Sequence, residues 1–205
     1  MTPSWIAAAV GFGLAFVAGS LPFSYWIGRL ALKTDIRTRG DGNPGATNVL
    51  RAGGRGWGAL ALALDCLKGA LPVAVANFVL HWDGLALALV AIAPILGHAF
   101  SPFLAFRGGK AVAATFGIWT GLTIWEAPSV LGIMLGLWYA FIDVDGWAVL
   151  LAMLSLLMYF VLTGHTGDTL LIAWVGNTAV LAWKHRQDLT RMPEPRRWLQ
   201  KRGTS

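Results

Sequence analysis

Long apolar stretches separated by short polar ones set the pattern of this chain. Apolar segments run over about residues 5–28, 57–82, 84–97, 111–125, 129–142, 146–163 and 169–183. A helix needs roughly 20 apolar residues to cross a bilayer, and several of these segments have only about 14 or 15, so tilted, broken or loop-extended helices are expected. Pro22, Pro72 and Pro94 fall inside the segments, where membrane helices tolerate proline because neighbouring groups re-satisfy the freed backbone. The first segment follows Met-Thr-Pro-Ser, without a positive leader region, and exceeds a signal-peptide core in length, so it is expected to stay as a helix. The expectation is an all-α integral membrane protein with about seven transmembrane helices. It forms a single polytopic domain over residues 1–205, ending in a basic tail from about residue 184.

Composition strengthens that reading. At 56% hydrophobic and 13% charged residues, with a mean hydropathy of +0.61, the chain is too apolar for an ordinary soluble domain. A single cysteine, Cys66, excludes a disulfide framework and a cysteine-based metal site. The net charge of +6 is concentrated between the apolar runs and points to a lipid bilayer as partner, not to nucleic acid. Arg29, Lys33, Arg37, Arg39, Arg51 and Arg55 occupy the first polar region, Arg107 and Lys110 the second, and seven cations follow from Lys184. Threading seven spans with the N-terminus outside puts all three basic regions on the cytoplasmic side, as the positive-inside rule requires. Lys68 alone lies within a span, three residues after Asp65, and reads as a structural ion pair in preference to a substrate contact.

Lipid attraction does not account for the first polar region, which contains GDGNPGATNVLR at residues 40–51. Asn43 suits a helix N-cap and Pro44 the first helical position, with Gly53-Gly54 as the stop. Gly42 and Gly45 would let an anion approach the free backbone N–H groups, and Asn48 and Arg51 would share a helix face. The stretch reads either as a phosphate site or as a plain surface turn. A second basic stretch, GHAFSPFLAFRGGKAV at residues 97–112, offers Gly108-Gly109-Lys110. It is not a nucleotide loop, since Leu104 stands where the first glycine belongs and Ala111 where a magnesium-binding hydroxyl belongs. His98 reads equally as a substrate contact or as a histidine bonded to a nearby carbonyl. Lys184-His185-Arg186 matches what the dipole of a helix C-terminus favours.

No histidine has an acidic residue five positions later, so the histidine–aspartate dyad of many acyltransferases is missing. A zinc HExxH, a GxSxG elbow and a dinucleotide fingerprint are absent too. The stretches GSLPFSYWIGR (19–29), DIRTRGDGNPGATNVLRAGG (35–54), GHAFSPFLAFRGGKAV (97–112) and KHRQDLTR (184–191) resemble, in order and spacing, the signatures of the PlsY family. Those are bacterial membrane acyltransferases that move a fatty acyl group from acyl phosphate to glycerol 3-phosphate, giving lysophosphatidic acid. The resemblance implies a seven-helix protein of the bacterial cytoplasmic (inner) membrane with its active site facing the cytoplasm. It implies glycerol 3-phosphate and acyl phosphate as substrates, with no cofactor and no metal. Arg51, Lys110 and His185 become the catalytic polar contacts. Asp41, Gly42, Asn43, Gly45, Thr47, Asn48, His98, Gly108, Gly109, Asp143 and Asp188 become the substrate surroundings. No protein base is implied, because acyl phosphate is already activated and positioning with charge neutralisation supplies the rate.

The chain departs from the family pattern at four points. Asp41 stands for a serine, Asp188 for an asparagine, Asp143 for a serine on a looser alignment, and Ala111 for a glycine. Three carboxylates near a phosphate cradle repel a phosphorylated substrate unless cations offset them. Either a divalent cation bridges them to substrate, or the acceptor differs from glycerol 3-phosphate, or Asp41 caps its turn while Asp188 faces the tail. An organic-anion transporter is the remaining class; it would need charged groups lining a path to both faces.

Overall fold

A computed structural model describes residues 3–196; Arg197, Lys201 and Arg202 of the basic tail lie outside the described residues. The elements are α1 Trp5–Ser20, α2 Phe23–Trp26 running into a π turn Ile27–Ala31, α3 Ala46–Ala74 with a π turn Val75–Val79, α4 Gly84–Ala99, α5 Val112–Thr123, α6 Glu126–Phe141, α7 Asp145–Thr163, α8 Asp168–Lys184 and the one-turn α9 Arg186–Leu189. No strand occurs among the described residues, only one bridge between Ile142 and Pro195. Each expected apolar segment coincides with a helix. Four stretches, Trp5–Ala31, Ala46–Val79, Gly84–Leu104 and Asp145–Thr163, are long and apolar enough to cross a membrane; α5 and α6 are shorter.

The first apolar segment is broken where Leu21 precedes Pro22, a residue with no N–H to continue the ladder. Two distant side chains repair the break. Ser101 Oγ donates to the Ser20 carbonyl at 2.6 Å and Lys68 Nζ to the Leu21 carbonyl at 2.7 Å. Lys68 is held in turn by Asp65 at 2.7 Å, and Asp65 accepts a hydrogen bond from Ser24. All four side chains are buried. The pair forms as its spacing implied, and its lysine closes the backbone of the broken helix.

The loop helix begins later than the sequence indicates. Gly45, not Asn43, occupies the N-cap and Ala46 is the first helical residue, because the Asn43 side-chain oxygen accepts the Lys110 N–H at 3.0 Å. As the sequence indicates, that helix ends at Gly53-Gly54, where Gly54 leaves helical geometry with φ 80° and ψ −173°. A second helix follows directly, so α3 is two helices joined at a break that glycine adopts without strain.

Packing centres on α4, which is mostly buried and lies against α1, α5 and α8. Small residues let the backbones approach: a Cβ on Gly97 would run into the Phe16 carbonyl of α1, and one on Gly117 of α5 into the Cys66 carbonyl of α3. A buried polar bridge joins α5 to α8. There Trp119 Nε1 donates to Asn177 at 3.1 Å and Asn177 to Thr115 at 2.9 Å. Outward-facing Ile6 and Leu162, each 79% exposed, mark an apolar periphery suited to lipid.

Candidate active site

The polar loops at one end of the bundle are built around each other. In the first, Gly40 and Gly42 turn the chain with φ of 53° and 74°. Asp41 Oδ1 accepts from the Asn43 N–H at 3.2 Å and from Asn48 Nδ2 at 3.1 Å. Asn48, 1% exposed, also donates to the Asn43 carbonyl at 2.8 Å and accepts from Arg51 at 2.9 Å. It is therefore an internal strut of the loop, and it aims the Arg51 guanidinium.

The second loop lies across the end of α4. The Gly109 N–H donates to the His98 carbonyl at 3.1 Å, and a Cβ on Gly108 would run into that same carbonyl. These glycines let the loop pass over the helix end. Lys184, at the end of α8, donates to the Ala99 carbonyl at 3.0 Å and the Gly108 carbonyl at 2.8 Å. It clamps both ends of the loop. Ala111 then takes a left-handed φ of 64° at the position where the resemblance expects glycine.

Lys110 projects between two carboxylates, 3.1 Å from Asp41 Oδ2 and 3.0 Å from Asp188 Oδ2 of α9. Burial alone would lower the Lys110 pKa, but bonding to Asp188 and Asp41 outweighs it and holds the ammonium above the usual lysine value. Burial would raise Asp41; Lys110, the Asn43 N–H and Asn48 outweigh that and keep its carboxyl below the usual range. His185 follows α8, and its Nδ1 donates to the Leu181 carbonyl at 2.9 Å. Burial pushes this imidazole down, against the Leu181 bond, and Lys110 pushes the same way. A neutral ring with Nδ1–H committed to a carbonyl leaves Nε2 as an acceptor.

These groups enclose an open cavity of about 510 Å³. Of the expected residues, Asp41, Asn43, Gly45, Thr47, Arg51, His98, Lys110, His185 and Asp188 line it. Gly42, Asn48, Gly108 and Gly109 support it without being part of its wall. Asp143 does not reach it: it lines an adjoining recess of about 370 Å³ with Arg191 and Glu194, its N–H tied to the Glu194 carbonyl at 3.1 Å. Two residues later, at the start of α7, Asp145 faces the cavity instead. Sequence reasoning missed Asp145, and also Tyr139 and Asp65 as lining groups. His98 is 7% exposed and its buried Nδ1 has no hydrogen-bond partner among the described residues, so the neighbouring-carbonyl reading does not describe it.

Residues 9–194 match the family model described as glycerol-3-phosphate acyltransferase. The chain belongs to the glycerol-3-phosphate acyltransferase family. Among its relatives, glycerol-3-phosphate acyltransferase 1 of Thermotoga maritima is 38% identical over 191 residues, covering 87% of this chain and 94% of that protein. The Desulfovibrio desulfuricans enzyme is 39% identical over 192 residues, covering 92% and 80%. The crystal structure of PlsY, an integral membrane glycerol 3-phosphate acyltransferase, in its glycerol 3-phosphate form superposes with a TM-score of 0.80 at 28% identity, covering 97% of this chain and all of that one. The lysophosphatidic acid form gives 0.78. The chain is accordingly an integral membrane acyltransferase. Within such an enzyme the Asp41 and Asp188 departures have a physical account, since both carboxylates share the Lys110 ammonium.

The clamp by Lys184 is open to test. Lys184→Met keeps the apolar stem and removes both carbonyl bonds, so hydrogen exchange across residues 99–110 should accelerate and acyl transfer should fall by about tenfold or more. Unchanged exchange in that loop would mean the glycine packing alone holds it.

Proposed function

We propose that this acyltransferase makes lysophosphatidic acid in the cavity beneath Lys110, taking the acyl group from acyl phosphate and placing it on glycerol 3-phosphate. What supports this reading is that Arg51, Lys110 and His185, from three polar regions far apart in sequence, line one cavity. Arg51 and Lys110 neutralise the phosphates of donor and acceptor. The acceptor hydroxyl attacks the acyl carbonyl carbon, the new ester bond forms, and the acyl–phosphate C–O bond breaks with inorganic phosphate leaving. The hydroxyl proton passes to a phosphate oxygen, so a dedicated protein base is not required. Positioning and charge neutralisation carry the barrier reduction. An apolar groove between the helices takes the acyl chain, starting beside Val112, which borders the cavity.

The orientation follows from charge: seven crossings, N-terminus outside, in the bacterial inner membrane, with the cavity open to the cytoplasm and its rim among the headgroups.

Arg51→Ala and Lys110→Ala should each reduce acyl transfer by about a hundredfold while leaving thermal stability near wild type, each removing a cation that faces phosphate. Near-normal kinetics in both would remove the phosphate cradle. For topology, single cysteines in a Cys66→Ala background at the exposed positions Arg39, Arg107 and Gln187 should label from the cytoplasm, and those at Asp83, Trp125 and Thr166 from outside. Labelling of Arg39 and Arg107 positions from opposite faces contradicts the shared site.

A further inference from the structure

We infer that Asp41 and Asp188 form a counter-ion lock on Lys110, which an incoming phosphate has to open, and that the lock sets the enzyme's affinity for its phosphorylated acceptor. This rests on the reading that the cavity takes phosphorylated substrates. Lys110 has two of its three ammonium donors directed at carboxylates, 3.1 Å from Asp41 and 3.0 Å from Asp188. The three side chains are 23%, 43% and 29% exposed, so water screens the bridge only in part. Arg51, also in the cavity wall, hydrogen-bonds to the neutral Asn48 at 2.9 Å, and no ion pair to it occurs among the described residues. The two cavity cations are therefore unequal. Arg51 is available to a phosphate at once, whereas Lys110 has to leave a carboxylate.

The two arms of the lock differ as well. Asp41 is fixed through its other oxygen by the Asn43 N–H and Asn48. Asp188 sits on the one-turn α9 and forms part of the wall between the cavity and the 370 Å³ recess that Arg191 also lines. The recess is acidic, with Asp143, Asp145 and Glu194 beside Arg191, and among the described residues Lys110 is the one hydrogen-bond partner of the Asp188 carboxylate, so Asp188 gives way before the braced Asp41 does. Phosphate thus lands on Arg51 and then takes Lys110 from Asp188, while Asp41 keeps the ammonium aimed. No bond is made or broken in this step. Each carboxylate lowers phosphate affinity by competing for the same ammonium, and each one removed releases that cation.

The test is calorimetric titration of the purified full-length enzyme with glycerol 3-phosphate and, separately, with inorganic phosphate. Asp41→Asn and Asp188→Asn keep the shape and the hydrogen-bonding oxygen but remove the charge. Each should bind both ligands about two- to fivefold tighter than wild type, the order expected for one partly screened ion pair. Asp168→Asn, at the far end of α8, should change nothing. In the Asp41→Asn/Asp188→Asn background Lys110→Ala should cost more affinity than it does in wild type, because Lys110 is then free to bind phosphate. Unchanged or weaker binding in either single variant, or an equal cost of Lys110→Ala in both backgrounds, overturns the lock. If the variants tighten inorganic phosphate while wild type fails to acylate glycerol 3-phosphate, the lock stands and the functional reading falls.

Discussion

Inside a bilayer no water is available to a backbone carbonyl that loses its helical partner, and in this protein lysines meet that need. The chain has to break at Leu21-Pro22 and again after Ala99. Lys68 donates to the carbonyl freed at the first break, and Lys184 to two carbonyls around the second. An unsatisfied buried carbonyl costs on the order of a few kcal/mol, so these two cations are as structural as the helices they join. With those two engaged elsewhere, Arg51 and Lys110 are the lysine and arginine side chains that line the cavity among the described residues.

The two loops are one construction. Asn43 gives up the capping role its sequence position suggests and accepts the Lys110 N–H instead, which ties the first loop to the second. Asp41 then reaches Lys110 from the first loop and Asp188 reaches it from α9, so all three polar regions converge on one ammonium. A cavity wall with this many carboxylates would repel phosphates if the charges were independent. Held on one Lys110 ammonium, Asp41 and Asp188 have one of their two charges offset, and in the lock inferred above they are a tunable cost of binding. No charge has to be removed for the acyl-transfer reading to hold.

Much of this was legible in the chain. Each apolar segment coincides with a helix among the described residues, four of them long and apolar enough to cross a membrane, because apolar length is what a membrane selects. The strings at 35–54, 97–112 and 184–191 pointed to the loops that meet. The details that failed depend on tertiary contacts that local pattern does not carry. Asn43 followed a good local capping rule and lost to a bond across 67 positions. Gly108 and Gly109 read as flexible backbone at an anion site, and local pattern gave no sign of the close passage over α4 that a Cβ on either would block. Lys184 fitted a helix dipole, and its two carbonyl partners lie 85 and 76 positions away. Asp143 came from a loose alignment to the resembled family, and local pattern does not say which carboxylate at a helix start turns inward; Asp145 does.

The most direct test of the central claim, that a phosphate-recognising cavity operated by the protein's own cations performs acyl transfer, is an acceptor panel. Purified enzyme is given acyl phosphate with glycerol 3-phosphate, other phosphorylated polyols and glycerol, each with and without a divalent-metal chelator. The account predicts lysophosphatidic acid and inorganic phosphate in equal amounts from glycerol 3-phosphate, much slower transfer to glycerol, and no effect of chelator. Equal transfer to glycerol, or loss of transfer on chelation, would contradict it.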